Sequence, residues 1–473
     1  MSIMIGLETH VQLNSKSKIF CGCANPVTVE GKNSIKPNTL TCPTCLGMPG
    51  SKPRINEKII ESAIKAALAL NCKIAGEIYF SRKTYFYPDM SKNFQVTQYE
   101  IPLAEEGVME LNLAGRKKKI RIRRVHIEED PAKLVHQSSP TGGYTLVDYN
   151  RAGTPLIEVV TEPDFTSPEE ARLYLQKIGQ IFDYLGIYDF ASEASLKSDG
   201  NLSIDGGKRV EVKNITGTKE IEKALNYEAI RQRNVVRGGG IITQESRQWN
   251  PQMGVTKMMR TKETEEDYGY IFEPDLTMIE IPKTLIEKIK KELPELPDER
   301  QKRFIKQYEM HEKEAEKLTS EKAIADLFEI AAKKAGAKVA AGWLSGPLKK
   351  TLNYNDLTYS NSGLKDEWVI SLLSSFAKKE YTDHVAEQIL RKMVELKVDD
   401  ATAAKKLGLG KIDDKDRIKD VVKNVIKSNA DAVKDYRGGN EKALHFLVGQ
   451  VMRETKGQVD ANTAKKHILE ELK

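Results

Sequence analysis

RRVHIEEDPAK, residues 123–133, is the stretch around which the other motifs of this sequence are best placed. It sets three consecutive carboxylates, Glu128, Glu129 and Asp130, at the end of a strand-like run, with His126 before them and Lys133 after them. Adjacent anions repel one another unless solvent or a cation compensates their charge. The stretch is therefore either a solvated turn or part of a divalent-metal site. Taken alone, the stretch favours the solvated turn. The rest of the chain favours the metal site.

Residues 3–13, IMIGLETHVQL, alternate between apolar and polar side chains, as a half-buried β-strand does. Ile5 and Leu7 belong to the apolar face, and Glu8, His10 and Gln12 belong to the polar face. Side chains two positions apart on a strand lie on the same face, about 6.6 Å apart. That spacing suits two ligands of one cation, although such a pair on a surface strand often binds no metal.

Two close cysteine pairs follow, Cys21 with Cys23 and Cys42 with Cys45. Pairs with this spacing resemble a structural zinc knuckle, because four thiolates can surround one tetrahedral ion. The alternative is four free thiols, since disulfides are disfavoured in the cytosol. Four thiolates would leave no open coordination position, so zinc here would fix the loop and take no part in catalysis. Cys72, inside an apolar helix, is interpreted as a core residue.

Length and composition describe a soluble protein of several domains. At 473 residues the chain is too long for one hydrophobic core, which predicts two to four domains. Charged residues make up 30% and hydrophobic residues 40%, as in globular proteins. No apolar run approaches the ~20 residues of a membrane helix. The first residues carry neither the basic region nor the cleavage site of a signal peptide, so we expect a cytoplasmic protein.

The net charge of +6 is unevenly distributed. Basic residues fill most of residues 116–124, and from residue 396 onward the chain has 17 Lys and Arg against 13 Asp and Glu. Clustered basic residues are a footprint of nucleic-acid binding. A solvated, lysine-rich surface would give the same pattern, and the sequence leaves both interpretations open.

Further elements complete an α+β arrangement. Residues 56–70 repeat apolar side chains at helical spacing, and Ser167-Pro168-Glu169-Glu170 is a capping box that begins a second helix ending at Gly186. Residues 195–204 and 208–214 predict two more strands. After Glu280 the chain becomes helical, and apolar stripes at residues 418–426 and 444–451 predict the core of a small bundle.

Several catalytic motifs are missing from the sequence. It has no P-loop, no strand-linked Gly-x-Gly-x-x-Gly and no Gly-x-Ser-x-Gly nucleophile elbow. The remaining candidates are acidic residues and a histidine spread over several predicted strands, accompanied by lysines: Glu8, His10, Glu128, Glu129, Asp199 and Glu211, with Lys133 and Lys213. Carboxylates suit Mg²⁺, and metals with lysines can support phosphoryl transfer without a P-loop.

Several ordered motifs resemble one known family along nearly the whole chain. They are IGLETHVQL (5–13), CPTCLGMPG (42–50), YFYPD (85–89), HIEED (126–130), VDYNRAGTPLIE (147–158), EVKN (211–214) and ALHFLVGQVM (443–452). The sequence is similar to the B subunit of the heterotrimeric aspartyl/glutamyl-tRNA amidotransferase. It departs from the family at residues 198–201, where Ser-Asp-Gly-Asn stands in place of the common Cys-Asp-Ala-Asn. It also has no room for the inserted domain of the archaeal paralogue.

The resemblance implies an α+β fold with a mostly antiparallel, cradle-like catalytic domain at residues 1–288, which includes the zinc knuckle. It also implies an all-α domain at residues 289–395 and a small helical, tRNA-binding tail at residues 396–473.

The resemblance also implies a reaction and its participants. ATP and Mg²⁺ would phosphorylate the side-chain carboxylate of Glu or Asp misacylated onto tRNA(Gln) or tRNA(Asn), and ammonia would then displace phosphate. A glutaminase A subunit would supply the ammonia, a small C subunit would wrap the pair, and a non-discriminating aminoacyl-tRNA synthetase is a further candidate partner. Zinc would be structural.

Residue roles follow from the same resemblance. We expect His10, Glu129 and Glu211 to hold one Mg²⁺, and Glu8, Glu128 and Asp199 to hold a second. Because neighbouring residues of a regular strand face opposite ways, this grouping requires a bulge or turn at Glu128 and Glu129.

The remaining expected contacts are to substrates. Lys133 and Lys213 would contact phosphate or the acyl phosphate. The expected nucleotide- or substrate-binding residues are Lys83, Tyr87, Asn150, Arg151 and Asn201. The expected tRNA contacts are Lys434, Arg437 and Lys442.

Two other classes of protein fit parts of the sequence. One is a non-enzymatic tRNA-binding protein with a zinc knuckle, which clustered carboxylates disfavour because they would repel RNA. The other is a carboxylate–amine ligase acting on a free small molecule, which would not need the basic tail.

Overall fold

The computed structural model describes residues 2–29, 34–113, 115–137, 142–188, 196–261, 268–409, 415–455, 459 and 461–472. These residues form two compact units, Met1–Pro297 and Asp298–Lys473. The first is rich in β-sheet and the second is helical, so the expected α+β class is confirmed. The boundaries of the three expected domains stay a prediction. Across the described ranges, no helix has both the length and the hydropathy needed to cross a membrane.

Sixteen strands are described, all in the first unit. They are β1 (Ile3–Gln12), β2 (Lys73–Ile74), β3 (Glu77–Ile78), β4 (Ser81–Thr84), β5 (Phe94–Thr97), β6 (Ala104–Leu113), β7 (Arg116–Asp130), β8 (Lys133–Gln137), β9 (Tyr144–Asp148), β10 (Thr154–Thr161), β11 (Leu196–Ile204), β12 (Val210–Thr216), β13 (Glu245–Asn250), β14 (Val255–Thr261), β15 (Gly269–Phe272) and β16 (Ile279–Glu280).

The helices of the first unit are α1 (Glu57–Ala69), α2 (Pro168–Tyr184), α3 (Thr218–Arg237) and α4 (Lys283–Lys291). The second unit contains α5 (Pro297–Tyr308), α6 (Glu312–Thr319), α7 (Lys322–Ala335), α8 (Ala337–Trp343), α9 (Lys349–Tyr354), α10 (Asp366–Ala377), α11 (Asp383–Leu396), α12 (Asp400–Leu407), α13 (Lys415–Ser428), α14 (Ala430–Arg437), α15 (Glu441–Glu454) and α16 (Ala461–Glu471). A π-helix, Leu344–Leu348, joins α8 to α9.

Nine strands form the main sheet in the order β14-β13-β12-β11-β1-β10-β7-β6-β2. Every neighbouring pair is antiparallel except β12 and β13, so the sheet is mostly antiparallel, as expected. Two strands that are far apart in sequence, β4 and β15, pair within a separate sheet of order β15-β4-β5. Two further pairs, β16 with β3 and β8 with β9, stand outside these sheets.

The apolar face of the main sheet packs against α1, α2 and α3. On β1, for example, Ile5, Leu7 and Val11 are buried in this core. Strand alternation places Glu8, His10 and Gln12 on the opposite face. The main sheet therefore has one face covered by helices and one face that carries polar side chains.

The N-cap half of the predicted capping box at the start of α2 is present. Ser167 is the N-cap residue and its hydroxyl accepts a hydrogen bond from Glu170 N–H (3.3 Å). The Glu170 carboxylate accepts from the N–H of Thr166 (2.7 Å), which precedes the N-cap, so the second bond is displaced by one residue from that of a capping box. Beyond the helix, Gly186 has a φ of +69°, a conformation in which a residue without Cβ is favoured.

The apolar stripes predicted near the C-terminus meet in one core. Val422 and Val425 of α13 pack in the same cluster as Leu447 and Val451 of α15, together with Ile468 of α16. The helices are amphipathic and bury one face each, so this part of the second unit is a small bundle with its own core.

Candidate functional site

A cavity of about 820 Å³ lies over the polar face of the main sheet. Strands β1, β7, β10, β11 and β12 contribute its acidic and histidine side chains. Lys83 of β4 and Tyr270 of β15 line it from the separate three-stranded sheet. Because β15 follows β4 by more than 180 residues, no local pattern in the sequence could have placed the two together.

The register of β1 with its neighbours brings the ionisable side chains together. Glu8 lies opposite Asp199 of β11, and His10 lies opposite Glu158 of β10. Directly opposed residues of antiparallel strands project to the same face. Both pairs line the cavity.

The first group of ionisable side chains contains Glu8, Asp199 and Glu211. One carboxylate oxygen from each lies within 4.8 Å of the others. Lys213 Nζ lies 3.4 Å from a Glu211 oxygen and 3.8 Å from an Asp199 oxygen, and so offsets part of the charge. Asn201 donates a hydrogen bond to Glu8 (3.0 Å). Burial raises the pKa of Asp199, and the like charge of Glu211 acts in the same direction.

The second group contains His10, Glu128 and Glu158, with His126 beside it. His10 Nε2 lies 3.5 Å from Glu128 Oε1 and 3.4 Å from Glu158 Oε2, and His126 Nε2 lies 2.8 Å from Glu158 Oε2. Burial alone would lower the histidine pKa values, but Glu158 and Glu128 outweigh it and raise the pKa of His10 to about 10 and that of His126 to about 9. Protonated imidazoles then balance the two carboxylates.

The structure therefore partitions the expected metal ligands differently from the sequence-based expectation. His10 groups with Glu128 and Glu158, and Glu211 groups with Glu8 and Asp199. Sequence reasoning gave no role to Glu158 or His126. The available signal was a single glutamate inside the otherwise apolar strand PLIEVV, because a buried carboxylate in such a strand requires a partner.

The structure contradicts the expected role of Glu129 as a metal ligand most clearly. The pairing of β7 with β10 is regular at Glu128 and Glu129, and the one register shift between these strands falls at Val160/Thr161. The expected bulge at Glu128 and Glu129 was wrong, so Glu129 faces away from Glu128. Its carboxylate instead accepts hydrogen bonds from Lys92 Nζ (2.6 Å) and Val96 N–H (2.8 Å).

The position of Lys133 also disagrees with its expected contact to phosphate. It is exposed on β8, opposite Asp148 of β9, and is not among the described residues that line the cavity. Lys213 does line it, because Glu211 and Lys213 alternate to the same face of β12, as the strand pattern predicted.

Of the expected substrate-binding residues, only Lys83 appears among the described lining residues of the cavity. Asn150 is buried and binds the backbone of the loop at residues 36–40, and Arg151 donates to the carbonyls of Pro131 and Ala132. Tyr87 is 55% exposed. Asn150 and Arg151 therefore hold loops together, and Asn201 acts on the cavity through its hydrogen bond to Glu8.

The lining of the cavity also includes cations and tyrosines. The cationic lining residues are Lys83, Arg123, Arg124, Lys197, Arg209 and Lys213. Tyr99 and Tyr270 stack with ring centroids 4.0 Å apart, and Lys83 Nζ lies 4.6 Å from the centroid of Tyr268. Cations beside aromatic faces suit a ligand that combines phosphates with a base.

Acidic partners neutralise much of the basic run at residues 116–124. Lys118 pairs with Glu170 (2.6 Å), Arg121 with Asp164 (2.7 Å) and Arg123 with Glu162 (2.9 Å). This pattern favours a charge-balanced surface over a nucleic-acid footprint in this part of the chain.

The four clustered cysteines meet as expected. One sulfur from each of Cys21, Cys23, Cys42 and Cys45 lies within 4.8 Å of the others, and none of the five cysteines forms a disulfide. A hydrogen bond from Cys21 contributes most to a pKa of about 5 for Cys45, and Lys18, whose Nζ lies 3.8 Å from the sulfur, acts in the same direction. The arrangement is compatible with a structural zinc site. Cys72 is buried in the core, as interpreted, but it follows α1, which ends at Ala69, and does not lie inside the helix.

The expected tRNA contacts lie in the second unit. Lys434 and Arg437 are exposed on α14, and Lys442 is exposed in the first turn of α15. They stand on either side of the glycine-bearing turn at residues 438–440.

Comparisons with known proteins cover the chain almost from end to end. The family model described as the GatB/GatE catalytic domain matches residues 3–287, and the model described as the GatB domain matches residues 326–472. The aspartyl/glutamyl-tRNA(Asn/Gln) amidotransferase B subunit of Methanosarcina acetivorans is 45% identical, over 100% of this chain and 98% of that protein. The protein of the same name from Carboxydothermus hydrogenoformans is 42% identical, over 97% of this chain and 96% of its own length.

These findings first define the class of protein: the chain is an enzyme component of the amidotransferase type, which forms carbon–nitrogen bonds. Within that class, the chain belongs to the GatB family.

Proposed function

We propose that this chain uses ATP to phosphorylate the side-chain carboxylate of Glu or Asp misacylated onto tRNA(Gln) or tRNA(Asn), and then holds the product for attack by ammonia. The observation that carries the proposal is that two carboxylate-bearing groups share one cavity with several cations and tyrosines. The relatives are named as components of an enzyme acting on these tRNAs, which supports the same substrate class.

The residues present fit Mg²⁺ as a cofactor. Glu8, Asp199 and Glu211 offer three hard carboxylate oxygens within 4.8 Å of one another, the donor type that Mg²⁺ prefers. His10, Glu128 and Glu158 would hold a second ion once His10 has lost its proton. When bound, such ions neutralise negative charge that develops on phosphate oxygens.

The side chains of the chain itself have separate tasks. Lys213, Lys83 and Arg124 can bind phosphate oxygens, because each lines the same cavity as the acidic groups. The stacked pair Tyr99 and Tyr270 can hold a base or the terminal adenosine of the tRNA.

The two chemical steps balance without a nucleophile from this chain. A carboxylate oxygen of the substrate attacks the γ-phosphorus of ATP, and ADP leaves. Ammonia then attacks the acyl carbon, and phosphate leaves with the C–O electron pair while ammonia loses a proton. Activation is needed because oxide is a far poorer leaving group than phosphate.

Ammonia would come from a glutaminase A subunit, with a small C subunit completing the assembly. The relatives are themselves named as one lettered component of a larger enzyme, which supports an assembly of this kind. Zinc would occupy the cysteine cluster and fix its loop. The cytoplasm, where charged tRNA is used, is the proposed compartment.

The decisive experiment incubates the chain and its partner subunits with γ-labelled ATP and Glu-tRNA(Gln) or Asp-tRNA(Asn). We expect phosphate release that requires the charged tRNA and Mg²⁺, and that Glu211→Gln nearly abolishes. Release without charged tRNA would instead indicate a small-molecule ligase. No release would indicate a tRNA-binding protein without this activity.

A further inference from the structure

Gln98 borders the cavity and is only 1% exposed. It follows β5, at the point where β6 no longer pairs with β7 and the backbone of β7 beyond Val125 needs other partners. The Gln98 side-chain oxygen accepts a hydrogen bond from Ile127 N–H (2.9 Å). This bond fixes the amide, because a flipped side chain would set its NH₂ group against a backbone donor.

With its oxygen fixed in this way, Gln98 must direct its NH₂ group elsewhere. This nitrogen is buried and has no hydrogen-bond partner within the described part of the chain. Buried amide donors are nearly always paired, so an unpaired donor at the edge of a cavity indicates a ligand that supplies the acceptor.

Neighbouring polar groups on the same segment are satisfied by the protein itself. Gln95 Nε2 donates to the Glu129 carbonyl (2.7 Å), Val96 N–H donates to the Glu129 carboxylate (2.8 Å), and the Thr97 hydroxyl donates to Glu128 (3.3 Å). Gln98 therefore differs from Gln95 in one respect that matters. Both side chains hydrogen-bond to the backbone of β7. Of the two amide NH₂ groups, that of Gln95 has a partner, whereas that of Gln98 has none among the described residues.

We propose that the Gln98 NH₂ group donates a hydrogen bond to an anionic oxygen of the bound substrate. The amide nitrogen can only donate, which excludes a cationic group as its partner. The candidate acceptors share one chemistry, an oxygen of a phosphate or of a carboxylate. In this enzyme they come from ATP or from the aminoacyl side chain, so the inference rests on the proposed function. Gln98 is then a substrate-binding residue that the sequence motifs did not single out.

Two variants separate substrate binding from bracing. Gln98→Glu keeps an oxygen for Ile127 N–H but replaces the donor with an acceptor, and Gln98→Met removes both. The matched control is Gln95→Met, which removes a donor that the Glu129 carbonyl already uses. Steady-state KM values for ATP and for the charged tRNA are measured in the assembled enzyme, together with the Kd for Mg²⁺-ATP by calorimetry and the thermal midpoint of each variant.

Loss of a hydrogen bond to a charged oxygen should weaken binding about tenfold or more. We expect both Gln98 variants to raise at least one KM by that factor, while Gln95→Met lowers the thermal midpoint and leaves both KM values unchanged. A rise for ATP alone assigns the acceptor to a phosphate, and a rise for charged tRNA alone assigns it to the carboxylate. Unchanged KM values in both Gln98 variants would overturn the inference.

Failure of the proposed function would be seen separately, in the wild-type protein, as absence of phosphate release that depends on charged tRNA. In that case only the calorimetric Kd tests the proposed Gln98 contact. A tenfold weaker Kd for Mg²⁺-ATP in both Gln98 variants would still support the contact, and an unchanged Kd would overturn it.

Discussion

At the level of single residues, charge balance explains how so many ionisable side chains share one cavity. Lys213 stands beside Asp199 and Glu211, and two histidines stand beside Glu128 and Glu158. Each of these carboxylates thus has a nearby cation, which lowers the cost of taking it out of water. A divalent cation or a substrate that enters the cavity must replace these ion pairs with contacts of its own.

Glu158 and Glu129 provide a direct test of this interpretation, because one lies in the cavity and the other does not. We expect Glu158→Gln to reduce amidation about 10- to 100-fold, as loss of a ligand or of its close support does. Glu129→Gln should instead lower the free energy of unfolding by about 3–5 kcal/mol, because it leaves Lys92 buried beside a neutral group. Urea denaturation and single-turnover amidation measure the two effects.

The paired variants serve as controls for each other. If Glu129→Gln unfolded normally but lost activity at saturating substrate, Glu129 would belong to the chemistry and the present grouping would be wrong.

At the level of secondary-structure elements, the start of α2 depends on a few polar contacts. Ser167 caps the helix through its hydroxyl, and Glu170 binds both Thr166 N–H and Lys118 Nζ (2.6 Å). We expect Ser167→Ala to lower the free energy of unfolding by about 1 kcal/mol, measured in urea, because one N-terminal N–H group loses its acceptor. Ser167→Thr, which keeps the hydroxyl, should lose much less.

Glu170 makes the stability of this element depend on pH. Burial alone would raise the pKa of Glu170, but the hydrogen bonds from Lys118 and Thr166 outweigh it and hold the pKa below the ordinary value of 4.5. The stabilisation is therefore fully present above pH 4.5 and is lost as the pH falls through the folded-state pKa. Urea midpoints between pH 3 and 6 should fall less steeply for Glu170→Gln than for wild type. Equal slopes would argue against the linkage.

The loop that carries the four clustered cysteines is expected to bind zinc. If the four sulfurs bind zinc, the purified chain should contain about one equivalent by elemental analysis. Removing the metal with a strong chelator should lower the thermal midpoint, because folding and metal binding are coupled. The Cys45→Ser variant should lose the metal. The Cys72→Ala variant changes a core residue outside the cluster, so it should be less stable than wild type but should retain the metal. Zinc retained in Cys45→Ser would exclude this site.

At the scale of the whole molecule, we propose that tRNA binding and chemistry depend on different units. Lys434, Arg437 and Lys442 lie in the second unit, and the described residues that line the cavity all lie in the first. Replacing the three with Gln should weaken tRNA binding and reduce its log–log salt slope by about 0.7–0.9 for each phosphate interaction that is removed. Fluorescence anisotropy at several salt concentrations measures both quantities.

A matched control removes the same charge elsewhere. Lys288, Lys290 and Lys291 are exposed on α4 of the first unit, and their replacement by Gln should leave the salt slope unchanged. An equal weakening in both triple variants would show that net charge alone governs binding.

Much of this architecture could be predicted because its signals are local. Alternation placed Glu8, His10 and Gln12 on one face of β1, and the capping box located the start of α2. Spacing grouped the cysteines, and the apolar stripes of α13 and α15 found their common core. Glu128 and Glu129 show the limit, because the sequence could not tell whether the strand is regular or bulged at this point, and only the observed strand pairing decides it.

By itself, the sequence determined the fold class, the family and the kinds of side chain that carry the chemistry, because periodicity, spacing and motif order are properties of the chain. Tertiary structure decided which side chains meet. Cross-strand register brought Glu158 to His10, turned Glu129 toward Lys92 and set β15 beside β4 over the cavity. These contacts join residues distant in sequence, so their partners become definite only when the strands have paired.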